Sequence, residues 1–536
     1  MRARRNLLLA LILCAIAAQG ASASQVTWAL HSEPRTLDPV LVEDGSSEAV
    51  RYLTQGALVR MNRKSQALEP ELATSWKVSP DGRSITFRLR KDAHFSDGSA
   101  FSAADVLWSM DRLMDPAIHA PVASTFQTAP GRVTHAQPDP DTIVFTFPGR
   151  VVGLAEAFDT VPIQKVGNHA ASDGPVLGPY QLVHYERGSY LLLRKNSYYW
   201  KRDAHGQRLP YIDEVRLVIQ QNRDLELSQY LHGDLQLIND VSPEQLRVLG
   251  SRSSSGVLDL GPSLDSEQMW FNQVPTAPIS SYKRAWFQST EFRKAISSAI
   301  NREDLVRLAL EGHGTPARGP ISPANHSWFD ARLQPMPFSD EEALQSLGKA
   351  GFQKKGDILF DQGGHPVEFS LITNAGNQVR EKMATLIQED LGKIGIKVRL
   401  VTLDFPALIQ RITQSFDYDA CLLGLVNVDP DPNGQMNVWL SSSPNHQWNP
   451  QEPTPATKWE AEIDTLMKQQ AGTSDLRQRK QAVDRFQQIV REQEPFIYLV
   501  NRNSLVAVSP RLVNAQPAIL FPQTFWRAEW MQLESR

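Results

Sequence analysis

The sequence predicts an α/β protein built as at least two lobes. Three observations carry that expectation. Strand-like alternation dominates the first half, helix and strand alternate after residue 285, and the chain far exceeds the ~250–300 residues at which one core stops growing. Charged residues make up 21% and the formal charge is −4, which excludes a broad basic field for nucleic acid or anionic lipid.

The chain opens MRARRNLLLALILCAIAAQGASASQ. Arg2, Arg4 and Arg5 precede an apolar run from Leu7 to Ala18, and Ala21-Ser22-Ala23 has the small-x-small spacing of a cleavage site. Residues 1–23 are therefore read as a secretory signal, and the mature chain is expected in the periplasm. The run is too short for a permanent span, which needs about twenty residues. Lipid attached to Cys14 would tether the chain, but Leu13 stands where a lipoprotein site takes a small residue. Cys421 is the only other cysteine, so no intrachain disulfide is expected after cleavage; within DYDACLLGLV it reads as a buried, inert thiol.

Residues 76–89 alternate apolar and polar on both sides of Pro80-Asp81-Gly82, which predicts a β-hairpin. A second turn at Ser96-Asp97-Gly98 precedes Ser102-x-x-Asp105, a capping box that opens a helix through Val106, Leu107 and Met110. From 178 to 219 the chain reads as strand, with a hairpin turn near Arg187-Gly188 and alternating Val215, Leu217 and Ile219; a short helix then runs from Arg223 to Leu231. Further on, Phe292, Ile296 and Ile300 mark a helix face, and Asn301-x-x-Asp304 caps a helix expected to end near Gly312. A strand at 367–372, a helix with Val379, Met383, Leu386, Ile387 and Leu391 on one face, and a strand through Ile396, Val398 and Leu400 form a β-α-β crossover. Such a unit implies a parallel pair. Helices at 458–469 and 474–492 precede the strand-like PFIYLV at 495–500, and 444–455 reads as a surface loop.

An exported chain of this size could be a hydrolase, yet the sequence holds no H-E-x-x-H, no G-x-S-x-G, no Walker loop and no dinucleotide fingerprint. Twelve scattered histidines, including His31 and His313, show no metal-ligand spacing, so neither a metal nor a cofactor is expected. A carboxylate pair assembled only in three dimensions would leave no trace in the sequence.

Several stretches, in order, resemble the large solute-binding proteins of bacterial ABC importers, the family 5 group that contains the oligopeptide- and dipeptide-binding proteins. They are EPRTLDP at 33–39, ELATSWKVSPDGRSITFRLRKDAHFSDGSAFSAADV at 71–106, LGPYQLVHYERG at 177–188, RKNSYYW at 194–200, YIDEV at 211–215, MWFNQ at 269–273, FRKAISSAINRE at 292–303, LGKIGIKV at 391–398 and DPDP at 429–432. The resemblance implies a two-lobed periplasmic-binding-protein fold with hinge crossover strands, taken here as MWFNQ and PFIYLV. The first lobe would span 24–270, with a small subdomain at about 61–174, and be completed by 497–536; the second would span 271–496. It also implies a receptor, not an enzyme, that works as a monomer, binds a peptide or similar oligomeric solute, and delivers it to an ABC permease. Oligosaccharides, opine-like compounds and metal complexes are alternative solutes within the same class; a secreted hydrolase lies outside it.

Peptide-binding members place an aspartate against the ligand ammonium in a stretch G-W-x-x-D-x-x-(D/E)-P. Here Gly424 to Pro432 reads GLVNVDPDP, with Leu425 at the tryptophan and Val428 at the aspartate position. Valine cannot compensate a buried ammonium. Asp429 takes the role through a one-residue shift, or the ligand has no free amine; alternatively Asp429 is only turn chemistry. The other expected ligand contacts are Asn427, Asn272, Trp439, Trp448, Gly45 and Ser46, each of which also fits a structural role.

Overall fold

A computed structural model of the chain describes residues 23–42, 44–126, 130–168, 174–251, 256–425, 430–473 and 475–534. The signal expected at 1–23, Cys14 included, therefore lies outside the described residues apart from Ala23. Among the described residues no helix is long and apolar enough to cross a membrane.

Strand β1 (Gln25–Leu30) leads to helix α1 (Gly45–Thr54), whose N-cap Asp44 accepts from the Ser47 amide. The family block at 71–106 then supplies two strands of a separate four-stranded antiparallel sheet. Strands β2 (Ala73–Val78), β3 (Ser84–Leu89), β4 (Thr134–Asp139) and β5 (Thr142–Thr146) lie in the order β2-β3-β5-β4. The inward positions Ile85, Phe87, Ile143 and Phe145 meet Val106, Met110 and Leu113 of helix α2 (Ala103–Met114) in one core. Both turns form as the residues dictate. Ser79 Oγ donates to Asp81 Oδ1 (2.5 Å), and the Ser102 amide donates to Asp105 Oδ2 (2.8 Å) to close the capping box.

The hairpin at 178–219 appears as β6 (Tyr180–Glu186) and β7 (Tyr190–Lys195), followed by β8 (Glu214–Ile219), helix α3 (Arg223–His232) and β9 (Leu237–Asn239). Strands β10 (Val257–Pro262) and β11 (Ser266–Phe271) come next, then helix α4 (Thr290–Ser298) and β12 (Gly314–Pro316). After Asn301 the structure departs from the single helix expected. Arg302–Asp304 is α-helical, and Leu305–Ala309 continues as one π turn in which the Leu310 amide reaches back to Leu305 O.

The crossover unit is β13 (Glu368–Asn374), helix α5 (Gln378–Lys393) and β14 (Lys397–Leu403), with β13 and β14 parallel from Glu368 opposite Lys397. Strand β15 (Ala420–Leu425), helices α6 (Lys458–Ala471) and α7 (Leu476–Gln493), and the thirteen-residue strand β16 (Phe496–Val508) complete it. Cys421 on β15 is buried and free, and burial pushes its thiol up, away from reactivity.

Outside the small sheets, the described strands join one path, β14-β13-β15-β11-β16-β9-β1-β8-β7-β6, with β10 and β12 also on β16. Of these described strands, β16 alone is paired to both halves. Residues 496–500 pair with β11, and 506–508 pair with β9. Arg502, Asn503 and Ser504 between them are half-buried, whereas the flanking residues of the strand are buried. The second crossing falls between β10 and β11, at 263–265. Of the two stretches expected as hinge strands, MWFNQ begins inside the second half's sheet a few residues past its crossing, and most of PFIYLV lies in the same sheet a few residues before its own.

Candidate functional site

Strand register places the site. Leu237 of β9 lies opposite Val508 and Asn239 opposite Val506, so the carboxyl end of β9 points toward residue 505 of β16. Trp270 of β11 lies opposite Phe496, Glu267 opposite Val500, and Leu425 of β15 opposite Ser266. The carboxyl end of β15 therefore points the other way along β16, toward residue 501. Strand β1 is parallel to β9 and β13 to β15, so the carboxyl edges of both halves face each other across 501–505. In α/β sheets that edge is where ligands bind.

On the first half, the edge carries the residues after β1 and β8. His31 Nε2 lies 2.9 Å from Glu226 Oε1, Arg223 pairs with Glu226 Oε2 at 2.7 Å, and Gln245 Nε2 donates to the same oxygen. Glu226 is buried while His31 and Arg223 are partly exposed, so one buried carboxylate holds two basic groups at the surface of the cleft. Beside them Tyr185 OH donates to Glu33 Oε1 (2.6 Å). That bond and one from the Gly188 amide hold the Glu33 carboxyl below its usual range. The Ser32 and Ser46 hydroxyls hydrogen-bond at 2.9 Å.

On the second half, Arg380 in the first turn of α5 donates from Nε to Glu267 Oε2 (2.7 Å), from Nη2 to Glu267 Oε1 (3.2 Å) and from Nη1 to Asn374 Oδ1. Arg502 Nε stands 3.6 Å from the same carboxylate. Glu267 is 3% exposed, so this group of two guanidiniums and one carboxylate is anchored in the interior and leaves one positive charge in excess. Gly424 lies directly against it. A Cβ there would overlap Arg380 Nη2 and come within 2.9 Å of Glu267 Oε2.

The two halves touch at the rim. Arg150 Nη1 donates to Gly472 O (3.0 Å), Gln66 Nε2 donates to Ala324 O (2.9 Å), and Leu264, Ala324 and Leu520 form a small apolar cluster with Met61.

The expected ligand contacts divide into three groups. Asp429, Asn427 and Val428 lie outside the described residues, in the segment that continues directly from Leu425 at the inner edge; Pro430 O just beyond accepts from Asn325 Nδ2 (2.7 Å). Asp431 caps the turn at Pro432–Gln435 and receives a two-pronged bond from Arg479 (2.8 and 3.0 Å). Gly45 and Ser46 open α1, and Ser46 reaches the β1 edge through Ser32. Asn272, Trp439 and Trp448 sit at the opposite, outer end of the second sheet, away from 501–505. Asn272 is buried, its Nδ2 donating to Phe416 O and Tyr418 O and its Oδ1 accepting from Val274 N. The two tryptophans are fully buried and pack edge-on against Phe496, and Trp448 Nε1 donates to Glu460.

The residues that form the described walls, Glu267, Arg380, Arg502, His31, Glu226 and Arg223, were not singled out as ligand contacts from sequence. Glu267 and Arg380 stand 113 residues apart. The one local signal was Gly424, at the first position of the family's amine-anchoring stretch.

The profile of the bacterial extracellular solute-binding proteins, family 5, matches residues 67–447. The chain is 28% identical over 429 residues to a probable ABC transporter-binding protein of Deinococcus radiodurans, covering 73% of this chain and 71% of that one. It is 24% identical over 502 residues to the oligopeptide-binding protein AppA of Bacillus subtilis, covering 90% and 86%. Among solved structures, the ABC transporter substrate-binding protein CtaP of Listeria monocytogenes superposes with a TM-score of 0.80 at 18% identity, over 96% of this chain and 100% of that one. AppA in complex with a nonapeptide gives 0.68 at 22% identity, over 96% and 100%.

Proposed function

The chain belongs to the bacterial extracellular solute-binding proteins of family 5, and from that premise we propose that it captures peptides or similar oligomeric solutes and hands them to the permease of an ABC importer. The single observation that carries the reading is the meeting of two carboxyl edges across one shared strand, 501–505, with the two halves in contact at the rim. A solute held there touches both lobes, and it favours closure through the bonds it makes to the second lobe only when the two come together. The lobe boundaries are placed at 263–265 and 501–505. The signal at 1–23 sends the chain to the periplasm, where it acts as a monomer and performs no bond chemistry.

In this reading Asp429 and Asn427 meet the ligand from the segment after β15, Gly45 and Ser46 from the start of α1, and His31, Arg223 and Arg502 from the walls. The test is calorimetry against extended peptides and their N-acetylated counterparts, with native mass spectrometry of the purified protein. Micromolar binding, about −8 kcal/mol, that is lost on acetylation supports an acidic amine anchor. No adduct, and no binding of any peptide, defeats the proposal. A second reading rests on Val428 together with the excess positive charge of Glu267, Arg380 and Arg502. A solute that carries an anionic group and no free amine suits that wall, and it would bind regardless of acetylation.

A further inference from the structure

Beyond the cleft, the second lobe buries three potential ligands in one place. His446, Glu452 and Glu460 are 1%, 5% and 3% exposed, and one donor atom from each lies within 4.8 Å of the others. His446 Nδ1 is fixed on Val438 O (3.0 Å), which leaves Nε2 as the free ring atom. Nε2 makes no hydrogen bond, although it is buried and faces Glu460 Oε1 at 3.7 Å and Glu452 Oε1 at 3.9 Å. Among the described residues neither carboxylate lies within ion-pair distance of a lysine or arginine.

The distances discriminate between explanations. An imidazolium would draw a carboxylate into a charge-assisted bond of about 2.7–2.9 Å, whereas both oxygens stand well beyond it and nearly equidistant. Donors each about 2.0–2.2 Å from one tetrahedral ion are themselves separated by roughly 3.4 Å, a few tenths of an ångström less than the 3.7 and 3.9 Å from Nε2 to the two oxygens. The surrounding bonds hold the carboxylates in this arrangement. Asn449 Nδ2 and the Ala456 amide donate to Glu452, while Trp448 Nε1 and Thr457 Oγ1 donate to Glu460. An imidazole whose Nδ1–H is pinned by a carbonyl, beside hydrogen-bonded carboxylates, is the usual outer arrangement of a metal ligand set.

We propose that His446 Nε2, Glu452 Oε1 and Glu460 Oε1 bind a divalent cation of the zinc class, which ties the 441–456 loop to the first turn of α6. The site stands apart from the solute cleft and does not depend on its ligand. The test dialyses the full mature chain against EDTA, adds zinc chloride, and measures bound metal by mass spectrometry together with thermal unfolding. One equivalent of zinc retained through gel filtration and a raised Tm are expected, both lost in His446→Gln and in Glu460→Gln. X-ray absorption of the zinc-loaded wild-type chain should show one imidazole and carboxylate oxygens, a readout that needs no variant to fold. Absence of stoichiometric zinc in the wild type, zinc retained by both variants, or a spectrum without imidazole would overturn the proposal.

Discussion

At Gly424 a single hydrogen atom separates the backbone from a buried ion pair. Gly424→Ala should therefore cost about 1–3 kcal/mol in urea unfolding, because Arg380 and Glu267 are fixed on each other and cannot yield independently. Glu267→Ala should cost more, about 3–5 kcal/mol, since it leaves the Arg380 guanidinium buried without its partner. Acid should act through other carboxylates. Arg332, by hydrogen bond, holds Asp330 at about 2; at Asp97, burial raises the carboxyl but bonds from Lys165 and Ser99 outweigh it and hold it at about 2 as well. Both folded values lie below the ordinary carboxylate value of about 4. Their stabilisation is complete above that value and is lost as pH falls through about 2, so Tm measured from pH 5 to 2 should fall more shallowly in Asp330→Asn than in the wild type. At the cleft, Asp429→Asn should weaken peptide binding by about 1.5–3 kcal/mol in calorimetry if Asp429 anchors the amine. Asp81 and Asp97 were legible as turn formers because their partners lie two residues away. Glu267 and Arg380 were not, because what joins them is a sheet edge rather than a spacing.

Elements explain why the family stretches look as they do. FRKAISSAINRE at 292–303 contains two buried arginines that donate almost wholly to carbonyls and hydroxyls. Arg293 reaches Phe287 O, Gln493 O and Glu494 O, and Arg302 reaches Ser297 O and Tyr498 O. Burial pushes both down to about 10, so they remain charged while fastening helix α4 to the start of β16. Arg293→Met should destabilise the chain by about 2–4 kcal/mol, with peptide affinity unchanged in the fraction that folds, because three buried carbonyls lose their donor. The turn, cap and crossover elements were legible because their chemistry is local: Asp-Gly turns, a Ser-x-x-Asp box and a 3.6-residue apolar repeat. The points where the chain changes partner were not legible, because β11 and the first part of β16 are uniformly buried and show no alternation to mark them. A large aromatic reads the same in sequence whether it packs against a core or a ligand, and Trp439 and Trp448 pack against Phe496.

For the whole molecule the question is the energy of closure. The rim bonds from Arg150 to Gly472 and from Gln66 to Ala324 are few and partly exposed, so each contributes little alone. The double variant Arg150→Ala, Gln66→Ala should keep its Tm, weaken solute binding several-fold, and give a larger radius of gyration by small-angle scattering without solute. The order of strands along the chain bears on more than transport. The strand shared by both lobes is β16, near the end of the chain at 496–508, while its partners begin at residue 237. A nascent chain that lacks this segment has neither lobe's sheet closed, however much of the rest has been made. One backbone segment thus supplies strand partners to both sheets, and a change within it reaches the two lobes at once.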